Sequence, residues 1–116
     1  MNKTSGDFIL KINVKYLKDA ALYVEASGKL DIYNAQDYLD EIKKNLGFTK
    51  ELILDFSNID YIASIGLRAV LELHKIMKEK ECPMIIKNVR KDVLNIFKTT
   101  GFDSFLNIEN DEEENN

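Results

Sequence analysis

Six residues in the middle of the chain, Glu51-Leu52-Ile53-Leu54-Asp55-Phe56, constrain the fold more than any others. They form a short apolar run with few polar breaks, the pattern of a central strand in a parallel sheet. A helical pattern precedes them. Ala35, Tyr38, Leu39, Ile42 and Leu46 recur at helical spacing, while Asp37, Asp40, Glu41, Lys43 and Lys44 point away. Asn34 or Tyr33 opens this helix, and Gly47 is its expected stop. A second helical pattern follows, opened by Ser64 and running to about Lys80. Arg68, Glu72, Lys75 and Glu79 form its solvent stripe, and Gly66, Ala69, Val70, Leu73, Ile76 and Met77 the core-facing one. Ile65, Leu67, Leu71 and His74 fall on its flanks.

A strand, a helix and a strand in that order imply a right-handed crossover. The other elements fit that plan. Phe8 to Val14 ends in apolar/polar alternation, and Ala20 to Glu25 alternates as well. Lys18-Asp19 between them suits a turn, so the two predict a hairpin. Gly28 to Asn34 and Ser57 to Ala63 are read as loops. Pro83-Met84-Ile85-Ile86 is a further strand, and Lys91 to Thr100 a helix with Val93, Leu94 and Phe97 inward, ended by Gly101. Phe102 to Ile108 closes the domain with a last short strand. The sum is an α/β layer fold with a mixed sheet of four to five strands packed with helices.

The chain has 116 residues, enough for one domain with one modest core. That domain is expected to span residues 1–109. Residues 110–116 are acidic and polar, with nothing to bury, and are expected to form a disordered tail. The net charge is −4, which argues against a nucleic-acid-binding face, since phosphate contacts need clustered Lys and Arg. Cys82 is the one cysteine, so no intramolecular disulfide forms. The amino-terminal residues lack the apolar segment of a signal peptide, and no stretch approaches a membrane span, so a cytoplasmic location without membrane insertion is expected.

Catalytic signatures are sparse. His74 is the one histidine, no His/Cys cluster has metal-ligand spacing, and neither a G-x-S-x-G elbow nor a Gly-rich phosphate loop occurs. Asp55 sits where a receiver domain keeps its phosphoacceptor. Tyr16-Leu17-Lys18 follows the first strand in place of the acidic pair that a receiver needs. Binding is therefore expected, without enzymatic activity, metal or cofactor.

In open α/β sheets, sites form beyond the carboxyl ends of the strands. Two loops qualify, one with Gly28, Leu30 and Asp31, the other carrying Asp60 to Ser64. Ser64 is expected at the N-cap of the long helix. Its plain role is a cap. Its sharper role is a phosphoswitch, because a helix N-terminus also stabilises an anion. Asp31 is either a turn residue or a polar recognition group beside Ser64.

Four stretches together resemble the STAS domain of anti-sigma-factor antagonists, over about Phe8 to Ile108. Gly28-Lys29-Leu30-Asp31 looks like the family's G-x-L-D element. Leu52-Ile53-Leu54-Asp55-Phe56-Ser57 resembles the strand ending in an Asp-Leu-Ser-like sequence. Tyr61-Ile62-Ala63-Ser64-Ile65-Gly66-Leu67 resembles the stretch of aromatic, Met or Ile, Asp, Ser, Ser or Thr, Gly, Leu. Thr100-Gly101-Phe102 resembles the Ser/Thr-Gly-Leu that ends the last main helix. The resemblance implies an α/β sandwich that binds a serine kinase serving as an anti-sigma factor. It implies that the bound antagonist frees a sigma factor, and that phosphorylation at Ser64 releases the kinase. The kinase would bring the ATP and magnesium. Asp31, Ile65, Gly66, Leu67 and Arg68 are the expected partner contacts, with Leu67 either supplying apolar contact or tucking into the domain. The chain departs from the pattern at Ala63, where Asp is usual, at Ile65, where Ser or Thr is usual, and at Arg68, where a small residue is frequent. The alternative is an adaptor or scaffold subunit of a signalling or lipid-transport complex, with the same fold and no phosphorylation. Oligomeric state, sigma factor and pathway are left open.

Overall fold

The computed structural model describes residues 10–111. Eight principal elements follow one another: β1 (Lys11–Leu17), β2 (Ala21–Leu30), α1 (Ala35–Leu46), β3 (Glu51–Ile62), α2 (Ser64–Glu79), β4 (Met84–Lys87), α3 (Lys91–Thr100) and β5 (Asn107–Glu109). They form one five-stranded mixed sheet in the order β1-β2-β3-β4-β5. β1 is antiparallel to β2, and the other pairs are parallel. This is the expected α/β architecture.

The amino-terminal hairpin turns through Lys18–Ala20, with Asp19 and Ala20 at positive φ, and Leu17 pairs with Ala21. β1 therefore runs on past Val14 to Leu17. Residues 8 and 9, which open the expected strand, lie outside the described residues.

The sheet packs as one layer against the helices. Leu22, Val24, Leu52, Leu54 and Ile86 are fully buried, and they alternate with the half-buried Tyr23, Glu25, Ile53, Ile85 and Lys87. α1 supplies Tyr38, Leu39 and Ile42 to the core, and α2 supplies Val70, Leu73 and Met77. α3 joins through Phe97, whose ring centroid lies 6.0 Å from that of Phe56. The solvent stripe expected for α2 is exposed, and its core stripe is buried apart from the half-buried Ile76.

Two expected loops are in part strand, while residues 31–34 form the expected turn. β2 continues through Gly28 to Leu30, and β3 continues from Ser57 to Ile62. The two keep pairing with each other as far as Leu30 opposite Ile62. Register shifts between Glu25 and Ser27 and between Gly28 and Lys29 interrupt the ladder. Such bulges break the period of two. Ile59 and Ile62, three apart, are both buried. The simple alternation that marks a strand is lost there, which is why the sequence reads as loop.

At the carboxyl end the structure describes two residues of the expected tail. Asn110 and Asp111, the first residues of the expected tail, are held by β4's end. Val89 N donates to Asn110 Oδ1 at 2.9 Å, and Asp111 N donates to Asn88 Oδ1 at 2.9 Å. Residues 112–116 lie outside the described residues.

Candidate functional site

Because β2 and β3 are parallel neighbours, their carboxyl ends lie side by side. Ala63 N donates to Leu30 O at 3.0 Å, which joins the last residue before α2 to the last residue of β2. The two candidate segments, Asp31 to Asn34 and the start of α2, therefore share one end of the sheet.

The first segment is a self-bonded turn. Asp31 N donates to Asn34 Oδ1 at 3.0 Å, Tyr33 N to Asp31 Oδ1 at 3.0 Å, and Asn34 Nδ2 to Lys29 O at 2.6 Å. Asp31 O accepts from Ala35 N at 2.9 Å. Asp31 thus builds the turn that launches α1, the plain role foreseen for it, while its side chain stays half-exposed.

The second segment corrects the capping assignment. Ala63, at φ −93 and ψ 174, is the N-cap of α2, and Ser64 is the first helical residue. The first helical hydrogen bond runs from Leu67 N to Ala63 O at 3.0 Å. Ser64 has no role as a side-chain cap because it already lies inside the helix. It is exposed, and among the described residues its hydroxyl is engaged by no hydrogen bond.

The residues around Ser64 divide by direction. Ile65 is 39% exposed, and Arg68 is exposed as well. Leu67 is 7% exposed and belongs to the core cluster, so it tucks in and does not offer apolar surface to a partner. Gly66 is buried also. A Cβ there would stand 2.6 Å from Leu30 O and 2.8 Å from Ile62 Cγ1. Gly66 therefore sets how closely α2 approaches the ends of β2 and β3, and its contribution to any partner contact is indirect.

Three apolar side chains at this end were not singled out from the sequence as surface. Ile32 is 74%, Tyr33 62% and Tyr61 46% exposed. Ile32 and Tyr33 form an apolar pair inside a turn, which is the one sequence signal that points to them. With Ile65 they give the end that carries Ser64 a substantial apolar character.

Asp55, set aside as a phosphoacceptor, is 8% exposed and already engaged. Tyr23 Oη donates to its Oδ2 at 2.5 Å and Ser57 N to its Oδ1 at 2.9 Å. Burial alone would raise its pKa. The hydrogen bonds from Tyr23 and Ser57, with the nearby Lys87 charge, outweigh this and hold it below the usual carboxylate range. The same contact, with burial second, pushes the Tyr23 hydroxyl well above its ordinary value.

A cleft of about 90 Å³ beside Ile65 and Arg68 is lined also by Ala35, Leu39 and Ala69. Ligand pockets run to roughly 300–1,000 Å³, so this cleft is too small for most small molecules. Among the described residues no group of three His, Cys, Asp or Glu side chains is placed to hold a metal ion. No helix among them is long and apolar enough to cross a membrane.

Comparison with known proteins agrees with this geometry. The family model described as STAS domain matches residues 11–115. A Bordetella bronchiseptica protein named as a candidate anti-sigma factor antagonist, BtrV, is 30% identical over 64 residues. That match covers 55% of this chain and 55% of the relative, so it spans about half of each. Among solved structures, an anti-sigma factor antagonist from Mycobacterium paratuberculosis superposes with a TM-score of 0.79 at 19% identity, covering 92% of this chain and 90% of the other. The Bacillus anti-sigma factor antagonist SpoIIAA superposes in its unphosphorylated form with a TM-score of 0.76 at 15% identity, covering 89% of this chain and 90% of the other. Its phosphorylated form gives a TM-score of 0.70, also at 15% identity, covering 89% and 93%.

Proposed function

Because the chain belongs to the STAS domain family, we propose that it is a cytoplasmic anti-sigma-factor antagonist that works by binding and is switched at Ser64. Unmodified, it holds a serine kinase that doubles as an anti-sigma factor, and so frees a sigma factor. The kinase transfers the γ-phosphoryl group of its own ATP to Ser64 Oγ, ADP and the hydroxyl proton leave, and the complex dissociates.

The observation that carries this reading is the state of Ser64. Its hydroxyl is exposed and uncommitted at the first position of a 16-residue helix, beside amides that precede the first helical bond. A phosphate there gains from the macrodipole and from those free amides. It adds about −1.5 to −2 charge to a surface that is partly apolar. Desolvating that charge against a partner is costly, so the complex weakens. Ile65 and Arg68 are exposed on the same turn, and Ile32 and Tyr61 at the same end supply further contact.

The test is intact mass after incubation with ATP and each serine kinase of the histidine-kinase fold encoded in the same genome, followed by partner affinity. One kinase should add a single phosphate to wild type and none to Ser64→Ala. Ser64→Glu should bind that kinase at least tenfold more weakly than Ser64→Ala, on the order of 1.4 kcal/mol. Stable binding without phosphate gain, and equal affinity of both variants, would instead support an adaptor that uses the same fold without phosphorylation.

A further inference from the structure

We propose that Arg68 is the built-in counter-ion of phosphorylated Ser64, clasping the phosphate across one helical turn. This rests on the reading of Ser64 as the phosphoacceptor and specifies how that modification acts on its own helix.

The geometry follows from α2. Ser64 and Arg68 are both helical, both exposed, and four residues apart. Residues at i and i+4 stack on one face, with Cβ atoms roughly 5–6 Å apart. Helical side chains lean toward the N-terminus, so Arg68 leans over the turn that holds Ser64. An acid placed N-terminal to a base at this spacing is the favourable order. A phosphate offers three acceptor oxygens to a planar guanidinium fork, which is the match that makes arginine the usual phosphate partner.

Arg68 is also uncommitted. Among the described residues it takes part in no ion pair. Glu72, its other i+4 neighbour, is paired with Lys43 at 3.7 Å. The first turn of α2 contains no acidic residue to compete for it. Phosphorylation therefore does two things at once. It adds an anion at Ser64, and it withdraws the Arg68 cation from the surface that the unmodified site presents.

The test needs no kinase. Phosphoserine is encoded genetically at position 64, and the second ionisation of its phosphate is followed by ³¹P NMR in the Arg68, Arg68→Gln and Arg68→Lys proteins. Arg68 should hold that ionisation about 0.3 pH unit or more below Arg68→Gln at low salt. The gap should close in about 1 M salt, and Arg68→Lys should fall between. Arg68 is exposed, so Arg68→Gln is expected to fold normally. Superimposed titrations of wild type and Arg68→Gln would overturn the clasp. They would leave the phosphoswitch standing, since that rests on kinase transfer and partner affinity measured separately.

Discussion

Replacing Gly66 by alanine adds one methyl group where α2 meets the ends of β2 and β3. The added Cβ meets Leu30 O at 2.6 Å and Ile62 Cγ1 at 2.8 Å. The Ile62 side chain is 2% exposed and has little room to retreat. Leu30 O is backbone, and it already accepts Ala63 N at 3.0 Å. Relief therefore requires α2 to move away from the strand ends. Overpacking of this kind costs about 1–3 kcal/mol, and loosening the Leu30–Ala63 bond adds to it. Helix propensity acts the other way, since alanine is better than glycine by about 1 kcal/mol. The net expectation is a loss of about 2 kcal/mol, or a fall in Tm of roughly 10 °C for a domain of this size. Urea unfolding followed by circular dichroism measures it, with the exposed Lys75→Ala as a control that should shift by less than about 0.5 kcal/mol. A Gly66→Ala protein as stable as wild type would mean that α2 does not sit this close to β2, and the packing account of the site would fail.

Two further outcomes follow from burial and from charge. Leu67→Ala should destabilise the protein by about 2–4 kcal/mol in urea unfolding, whereas Ile65→Ala should change stability by less than about 0.5 kcal/mol and instead weaken partner binding. Equal effects of the two on stability would refute the division between inward and outward positions. Tyr23→Phe removes the hydroxyl that holds Asp55, and should cost about 1–3 kcal/mol at pH 7. The folded-state pKa of Asp55 is lowered, so its stabilisation is present above the ordinary carboxylate range and is lost as pH falls through the folded value. The gap between wild type and Tyr23→Phe should therefore shrink on acidification, and unfolding curves equally separated at pH 7 and pH 2 would count against the pair.

How much was legible in advance follows from where periodicity survives. Ala35, Tyr38, Leu39, Ile42 and Leu46 keep a helical period, and all five are buried on α1 as expected. Leu52, Leu54 and Phe56 mark β3 because the central strand is unbroken there. Past Asp55 the register shifts scramble the alternation, so the last six residues of β3, from Ser57 to Ile62, read as loop. The cap of α2 lies at Ala63, one residue before the expected Ser64. Serine favours the N-cap, but Ala63 is held by Leu30 O at the strand end, and its own carbonyl takes the first helical bond. The exposed Ile32 and Tyr61 left little trace, because an apolar residue that faces solvent breaks no pattern by itself.

The stretch from Ala63 to Arg68 shows how fold and specificity divide one segment between them. Gly66 and Leu67 keep the residues usual in the family, and both are packed inward, glycine against a backbone carbonyl and leucine in the core. Neither has freedom to change without moving α2. Ile65 and Arg68 depart from the family pattern, and both face outward. Substitutions there cost the fold little, since surface changes away from special features stay within about 0.5 kcal/mol. On the proposed reading they alter what a partner meets: Ile65 adds apolar surface, and Arg68 adds a cation one turn from the hydroxyl. Of the three departures, Ile65 and Arg68 lie where packing leaves them free, while Ala63 is half-buried at the N-cap and tied by its backbone to Leu30 and Leu67.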